Sequence, residues 1–281
     1  MIKVENLTFT YAVAPAPTLK NLKFDIQNGE IFGFLGPSGA GKSTTQKILY
    51  KILHDYQGQI SIDNTSLKDL DEKYFERIGV GFELPNHYLK LSGKENLDLF
   101  ASFYPKDKML DIPKLFALVG LEDALNKPVE AYSKGMKMRL NFIRSIMHNP
   151  DIIFFDEPTA GLDPVNGRKI KEHILELKKQ GKTIFITTHN MTTADELCDR
   201  VAFIVDGEII LIDQPTNLKQ QYGKEILKVE LKNGDSAEFA IEELGHNSAF
   251  LNFIKDADIR RMNTLEATLE EVFIKVTGKN L

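Results

Sequence analysis

Apolar and polar residues alternate along residues 2–10 and again along 22–26, the period-two spacing of strands with one buried face. Asn28-Gly29 then marks a turn. Residues 31–35, Ile-Phe-Gly-Phe-Leu, are an almost wholly apolar run and predict a strand buried on both faces. The spacing turns helical over 44–53, with Ile48, Leu49, Ile52 and Leu53 recurring on one side. Residues 59–62 and 78–82 return to strand character. From about residue 83 to 149 the pattern is helical. Ser92-Gly93-Lys94-Glu95 has the form of a capping box, in which serine and glutamate satisfy each other's backbone donors. Leu97, Phe100, Ala101 and Tyr104 follow on one face, and 112–118 and 136–147 are helical by spacing. Strands recur at 152–155, 183–187, 201–205 and 209–212, with a helix over 165–179. This alternation predicts an α/β core with a largely parallel sheet, interrupted by a mostly helical insert. After Tyr222-Gly223 the pattern changes once more. Residues 227–231 and 237–241, joined through Asn233-Gly234-Asp235, predict a hairpin. Helices are expected over 249–254 and 268–276, the latter with Leu269, Val272, Phe273 and Val276 on one face.

The chain has 281 residues, enough for one large domain or a core with a smaller attachment. Hydrophobic residues make up 42% and charged residues 27%, ordinary globular usage. A net charge of -5 supplies no basic surface, which argues against a nucleic-acid partner. The single cysteine, Cys198, excludes an intrachain disulfide and fits a reducing compartment. It sits in an apolar pattern with Leu197 and Val201, which predicts a packed, inert thiol. Residues 1–6 carry no apolar signal core, and no apolar run approaches the ~18 residues that span a membrane. The expectation is a cytoplasmic protein whose membrane role comes through a partner.

Gly36-Pro37-Ser38-Gly39-Ala40-Gly41-Lys42-Ser43 matches the phosphate-binding pattern G-x-x-x-x-G-K-[ST], between a predicted buried strand and a helix. Glycines let the backbone turn its N–H groups toward phosphate oxygens, and the helix beginning near Thr44 adds its positive end. Lys42 would reach the β- and γ-phosphates, and the Ser43 hydroxyl would bind Mg²⁺. Asp156 and Glu157 end the apolar run 152–155. Alone, such a pair could be a solvated strand end. Beside a phosphate loop, Asp156 becomes a candidate to hold Mg²⁺, and Glu157 a candidate to orient or deprotonate the attacking water. No Asn-Lys-x-Asp guanine reader is present, which favours ATP over GTP.

The order of these motifs resembles the ATP-binding subunit of an ABC transporter, over about residues 1–222. Tyr132-Ser133-Lys134-Gly135-Met136 lies where that family has its signature, Leu-Ser-Gly-Gly-Gln. Ala160-Gly161-Leu162-Asp163 resembles the D-loop, His189 the switch histidine, and Tyr11 the aromatic residue that stacks on adenine, with core or loop packing as the lesser alternative for Tyr11. The resemblance implies a P-loop NTPase α/β fold: a RecA-like mixed sheet, an N-terminal antiparallel β subdomain and a helical subdomain at about 84–149. Residues 1–222 would form the ATPase domain and 223–281 a small α+β accessory domain. It implies that Ser133 and Gly135 contact the γ-phosphate bound by a second subunit, that His189 senses that phosphate, and that Asp163 links the two sites. The partners implied are ATP, a second ATPase subunit (the same chain or a similar one) and an integral membrane subunit.

Two positions depart from the family. Glu83 stands where the Q-loop glutamine is expected, and there it offers an oxygen to Mg²⁺ while adding negative charge beside the phosphates. Slower nucleotide binding and stronger metal binding are both open. The signature carries Lys134 for glycine and Met136 for glutamine. Such signatures and acidic Q-loops, with a tail segment like Leu269-Glu270-Glu271-Val272-Phe273, resemble the drug and lipid exporter branch. A membrane partner would dock near residues 83–88, where Leu84, Pro85, Tyr88 and Leu89 are either a contact surface or internal packing. A soluble ATPase of the same family and a nucleotide-responsive regulatory module are the other readings.

Overall fold

A computed structural model describes residues 1–223, 225–265 and 267–279. Lys224, Glu266, Asn280 and Leu281, all within the expected accessory domain 223–281, lie outside the described residues. The chain divides into two compact units, Met1–Ile212 and the residues from Asp213 onward.

In the first unit, strands β1 (Ile2–Phe9), β2 (Leu19–Ile26), β4 (Gln57–Ile62) and β5 (Thr65–Ser66) form an antiparallel sheet of order β2-β1-β4-β5. The alternation of β1 slips once. Asn6 takes φ 56° and the register shifts between Val4 and Leu7, so both of these residues are buried although three apart. The second sheet contains β3 (Ile31–Leu35), β6 (Ile78–Gly81), β7 (Ile152–Asp156), β8 (Thr183–Thr188), β9 (Arg200–Val205) and β10 (Glu208–Asp213) in the order β10-β9-β3-β8-β7-β6. Pairing is parallel from β9 through β6. The turn Asp206-Gly207, with φ 50° and 81°, closes a two-residue hairpin from β9 to β10. All five residues of β3 are buried, as its composition predicts.

Phe24 of the antiparallel sheet stacks on Phe32 and lies close to Phe34 and Phe185, with ring centroids 5.7, 5.3 and 6.2 Å away. Each such buried ring contributes about 1.5–3 kcal/mol over its exposed state, so this aromatic cluster binds the two sheets together. Helix α1 (Lys42–Leu49) follows β3, and the short α2 (Lys73–Arg77) precedes β6. Between β6 and β7 stand α3 (Gly93–Ala101), α4 (Ile112–Leu118) and α5 (Lys134–Ile146), the helical insert. The Ser92–Glu95 capping box is formed. Helices α6 (Pro164–Lys179) and α7 (Met191–Leu197) flank β8 in the chain.

The parallel strands set the site. β3 runs into the phosphate loop, β7 ends at Asp156, and β8 ends just before His189. All three therefore deliver their residues at the carboxyl edge of one sheet, where open α/β sheets bind ligands.

The second unit comprises α8 (Pro215–Tyr222), β11 (Ile226–Leu231), β12 (Ser236–Ala240), α9 (Ser248–Ile254), β13 (Ile259–Leu265) and α10 (Leu269–Thr277). Its antiparallel sheet has the order β12-β11-β13. Val229, Leu231 and Phe250 are buried in its core. The hairpin β11–β12 stands where the sequence predicts it. β13 does not follow from the sequence pattern, because its apolar residues, Ile259, Met262 and Leu265, recur every third position rather than every second. The units part before α8, whereas the sequence pattern changes after it. α8 packs on α10, and Lys275 Nζ donates to the Tyr222 carbonyl at 2.8 Å.

Candidate functional site

The loop 36–41 owes its path to glycine. A methyl group on Gly36 would lie 2.0 Å from the Ile204 carbonyl oxygen, so β9 leaves no room for a side chain there. Gly41 takes φ 107° as the residue capping α1, and no side chain caps that helix. Its first N–H groups are thus left for an anion. Gly36→Ala is expected to cost about 1–3 kcal/mol of stability through overpacking and to weaken nucleotide binding with it. Urea unfolding checks the first effect, and a midpoint equal to the parent's would mean that the strands part without penalty.

Lys42 Nζ donates to the carbonyls of Gly36 and Pro37 at 2.6 and 3.0 Å. Burial lowers the pKa of this ammonium, and the negative charges of Glu157, Asp156 and Glu83 oppose that effect. The lysine is therefore surrounded by the three carboxylates singled out in the sequence. Ser43 Oγ donates to Asp156 Oδ2 at 3.0 Å across 113 residues of chain. The other carboxylate oxygen of Asp156 accepts from the Thr187 hydroxyl, its neighbour in the β7–β8 register. Gln46 Nε2 donates to the Phe155 carbonyl at 3.0 Å, tying α1 to β7.

Glu157 is 7% exposed and takes φ 51°, a left-handed conformation unusual for a side-chain-bearing residue. Its Oε1 accepts from the backbone N–H and the Nδ1–H of His189, at 2.8 and 2.6 Å. Its Oε2 accepts from the Thr188 hydroxyl at 2.8 Å. With Nδ1 donating, the Nε2 of a neutral His189 carries a lone pair. The His189 side chain is 65% exposed.

These residues line one cavity of about 440 Å³, bounded by Thr18, Ser38, Gly39, Gly41, Lys42, Ser43, Thr44, Glu83, Asp156, Glu157 and His189. Tyr11 stands behind its rim. The Tyr11 hydroxyl is 3.1 Å from Thr44 Oγ1, and its ring packs edge-on against Phe9. Ser133, Gly135 and Asp163 do not line the cavity. They lie together elsewhere on the same unit: a methyl group on Gly135 would be 3.6 Å from Leu162 Cδ2 and 3.7 Å from the Gly161 carbonyl. Ser133 Oγ accepts from Met136 N–H and caps α5. Asp163 caps α6 by accepting from Val165 and Asn166, and the hydrogen bonds from Asn166 lower its pKa.

Sequence reasoning does not single out Thr18, Thr187, Thr188, Asn141 or Arg144. The threonines carry no motif, and Thr187 and Thr188 are placed by strand register. Asn141 Nδ2 donates to the Phe82 carbonyl and Arg144 Nη1 to the Asn86 carbonyl, each at 2.8 Å, so α5 fixes the segment that carries Glu83. Beside that segment is a second, mainly apolar cleft of about 460 Å³, lined among others by Phe82, Leu84, Phe100, Tyr104 and Arg144. Leu84, Tyr88 and Leu89 are exposed rather than internal packing. Cys198 lies against Gly33 and burial pushes its thiol pKa far up, as expected of an inert packed thiol. No helix among the described residues is long and apolar enough to cross a membrane.

Residues 19–160 match a family model described as "ABC transporter". A fluoroquinolones export ATP-binding protein of Mycobacterium tuberculosis is 48% identical over 285 residues, covering 100% of this chain and 94% of that protein. A bacitracin transport ATP-binding protein of Bacillus licheniformis is 29% identical, covering 99% and 97%. Among solved structures, a dimeric ATP-binding cassette in a post-hydrolysis state bound to ADP and Pi is 30% identical, with TM-score 0.69, covering 76% of this chain and 98% of that one.

Proposed function

The chain belongs to the ABC transporter ATP-binding family, and on that premise we propose that it hydrolyses ATP to drive a membrane exporter, as one half of an ATP-closed dimer. The observation that carries this reading is the Glu157–His189 pair standing beside Lys42 in one cavity. A buried carboxylate held by three donors is poised to orient or deprotonate a water next to a phosphate cradle. His189, tethered by Nδ1, would donate to the γ-phosphate from Nε2 when that nitrogen too is protonated and the ring is an imidazolium. Export, rather than uptake, is supported by the names of the relatives, in which antibiotics are the cargo class.

Mg²⁺ fits the residues present. Ser43 Oγ and Asp156 Oδ2 are hard oxygen donors already 3.0 Å apart at the phosphate loop, and Mg²⁺ sites of nucleotide enzymes use one or two such groups beside phosphate oxygens and water. When bound, the ion would neutralise phosphate charge. Ser43 and Asp156 would hold it, with Thr187 fixing the carboxylate. Glu83, exposed on the cavity wall, adds negative charge there. Glu83→Gln is expected to raise the Mg²⁺ concentration for half-maximal ATPase roughly fivefold, about 1 kcal/mol of lost attraction. A superimposable Mg²⁺ curve would remove Glu83 from the metal's surroundings.

A second chain is needed because Ser133, Gly135 and Asp163 stand away from this cavity. In the dimer, Ser133 and the start of α5 would face the γ-phosphate held by the other copy, Asp163 would link the two sites, and Tyr11 would lie at the adenine. The apolar cleft by Leu84 and Tyr88 would receive a short segment of the integral membrane subunit, holding the chain at the inner face of the membrane. Residues 1–222 would be the ATPase domain and 223–281 an accessory domain. Sedimentation of the Glu157→Gln chain with saturating ATP and Mg²⁺ tests the dimer. A dimer is expected, and a monomer would overturn the composite site.

A further inference from the structure

Lys134 opens α5 immediately after its capping residue Ser133, where the family signature has glycine. Its stem lies over Gly161: a methyl group built on Gly161 would stand 2.8 Å from Lys134 Cε, 3.3 Å from Cδ and 3.2 Å from Nζ. Gly161 takes φ 71°, so the loop turns through the left-handed region and leaves the space that the lysine stem fills. The ends of this loop are pinned. Ala160 N–H donates to the Glu157 carbonyl at 3.0 Å, and Asp163 is anchored as the cap of α6. Its middle is covered by Lys134. No carboxylate among the described residues pairs with the ammonium, and a cation at a helix N-terminus opposes the helix dipole. The side chain's recorded interaction is therefore its packing on the loop.

We propose that Lys134 is a positioning residue that clasps the 160–163 loop to the start of α5. Occupancy of the second copy's nucleotide site, felt at Ser133 and Gly135, thereby reaches Glu157 of the same chain through the loop's first turn. This rests on the dimeric reading above. The clasp is a contact of methylene groups, so it depends on the stem and not on the charge.

The test compares the parent with Lys134→Ala, which removes the stem beyond Cβ and keeps a strong helix former, and with Lys134→Met, which keeps the stem's length without the charge. Steady-state ATPase is recorded against ATP concentration, and binding of a non-hydrolysable ATP analogue is measured separately. The parent is expected to show a Hill coefficient approaching 2, the number of coupled sites. Lys134→Ala should fall to about 1 with a several-fold lower kcat and unchanged analogue affinity, while Lys134→Met keeps the parent's Hill coefficient. A cooperative Lys134→Ala chain, a Lys134→Met chain as impaired as the alanine one, or a parent without cooperativity each overturns the clasp. The Glu157→Gln chain with Lys134 intact separates the two readings. If it stays monomeric in ATP, the dimer itself is wrong; if it dimerises while Lys134→Ala stays cooperative, only the clasp is wrong.

Discussion

Glu157→Gln is expected to bind ATP as the parent does and to hydrolyse it about 10²–10⁴-fold more slowly, the range for loss of a general base. The geometry explains why the exchange is clean. Glutamine has the shape of glutamate, and its carbonyl oxygen can still accept from the two N–H groups of His189 that now meet Oε1. Its amide group would then face the Thr188 hydroxyl, which accepts as readily as it donates. The buried pocket therefore stays satisfied, and the strained φ of 51° is unaffected by the change of side chain. What disappears is the carboxylate proposed to orient the water or take up its proton. Phosphate release under saturating ATP, beside an ATP titration, measures both halves of the claim. Turnover within threefold of the parent would assign the base elsewhere.

Lys42→Ala acts on the other half of the chemistry. The expected result is ATP binding weaker by about 2–5 kcal/mol, roughly 30-fold to several thousandfold, the cost of removing one member of a desolvated charge pair. The three carboxylates around the ammonium make this loss larger than a phosphate contact alone would suggest. With the lysine gone, Glu157, Asp156 and Glu83 face the incoming phosphates without a compensating cation. Alanine suits the first position of α1, so the helix is retained and the effect belongs to the ligand. Lys42→Arg is not expected to rescue, because the parent ammonium fits between two carbonyls of a closed loop and guanidinium is a broad planar fork. Equilibrium titration with ATP decides it. An affinity within threefold of the parent would mean that the backbone N–H groups alone hold the phosphates.

Both predictions start from residues that the sequence names, but their strength comes from contacts that it does not. Lys42 and Glu157 are 115 positions apart, and only the pairing of β7 with β8, and of β8 with β3, brings them to one cavity. Thr187 and Thr188 show the same limit. Nothing in Thr-Thr-His marks one hydroxyl for Asp156 and the next for Glu157, because successive side chains of a strand point to opposite sides and the assignment waits on register. The accessory unit was legible where its pattern was regular, in the β11–β12 hairpin and the capped helix α10. It was illegible at β13, an edge strand exposed along nearly all its length, where burial imposes no alternation.

By itself, the sequence determined the phosphate loop, its lysine and serine, the acids at the end of a buried strand, and the family. Each depends on neighbours within a few residues, where glycine's conformational freedom and helix or strand periodicity act directly. The tertiary structure decided how these parts meet. It placed Ser43 on Asp156, tethered His189 to Glu157, and kept Ser133, Gly135 and Asp163 out of the cavity they are expected to serve. Strand order and register arise from long-range burial that no local spacing encodes. The phosphate loop is therefore legible as chemistry in the chain, while the separation of Ser133, Gly135 and Asp163 from its cavity emerges only from the fold.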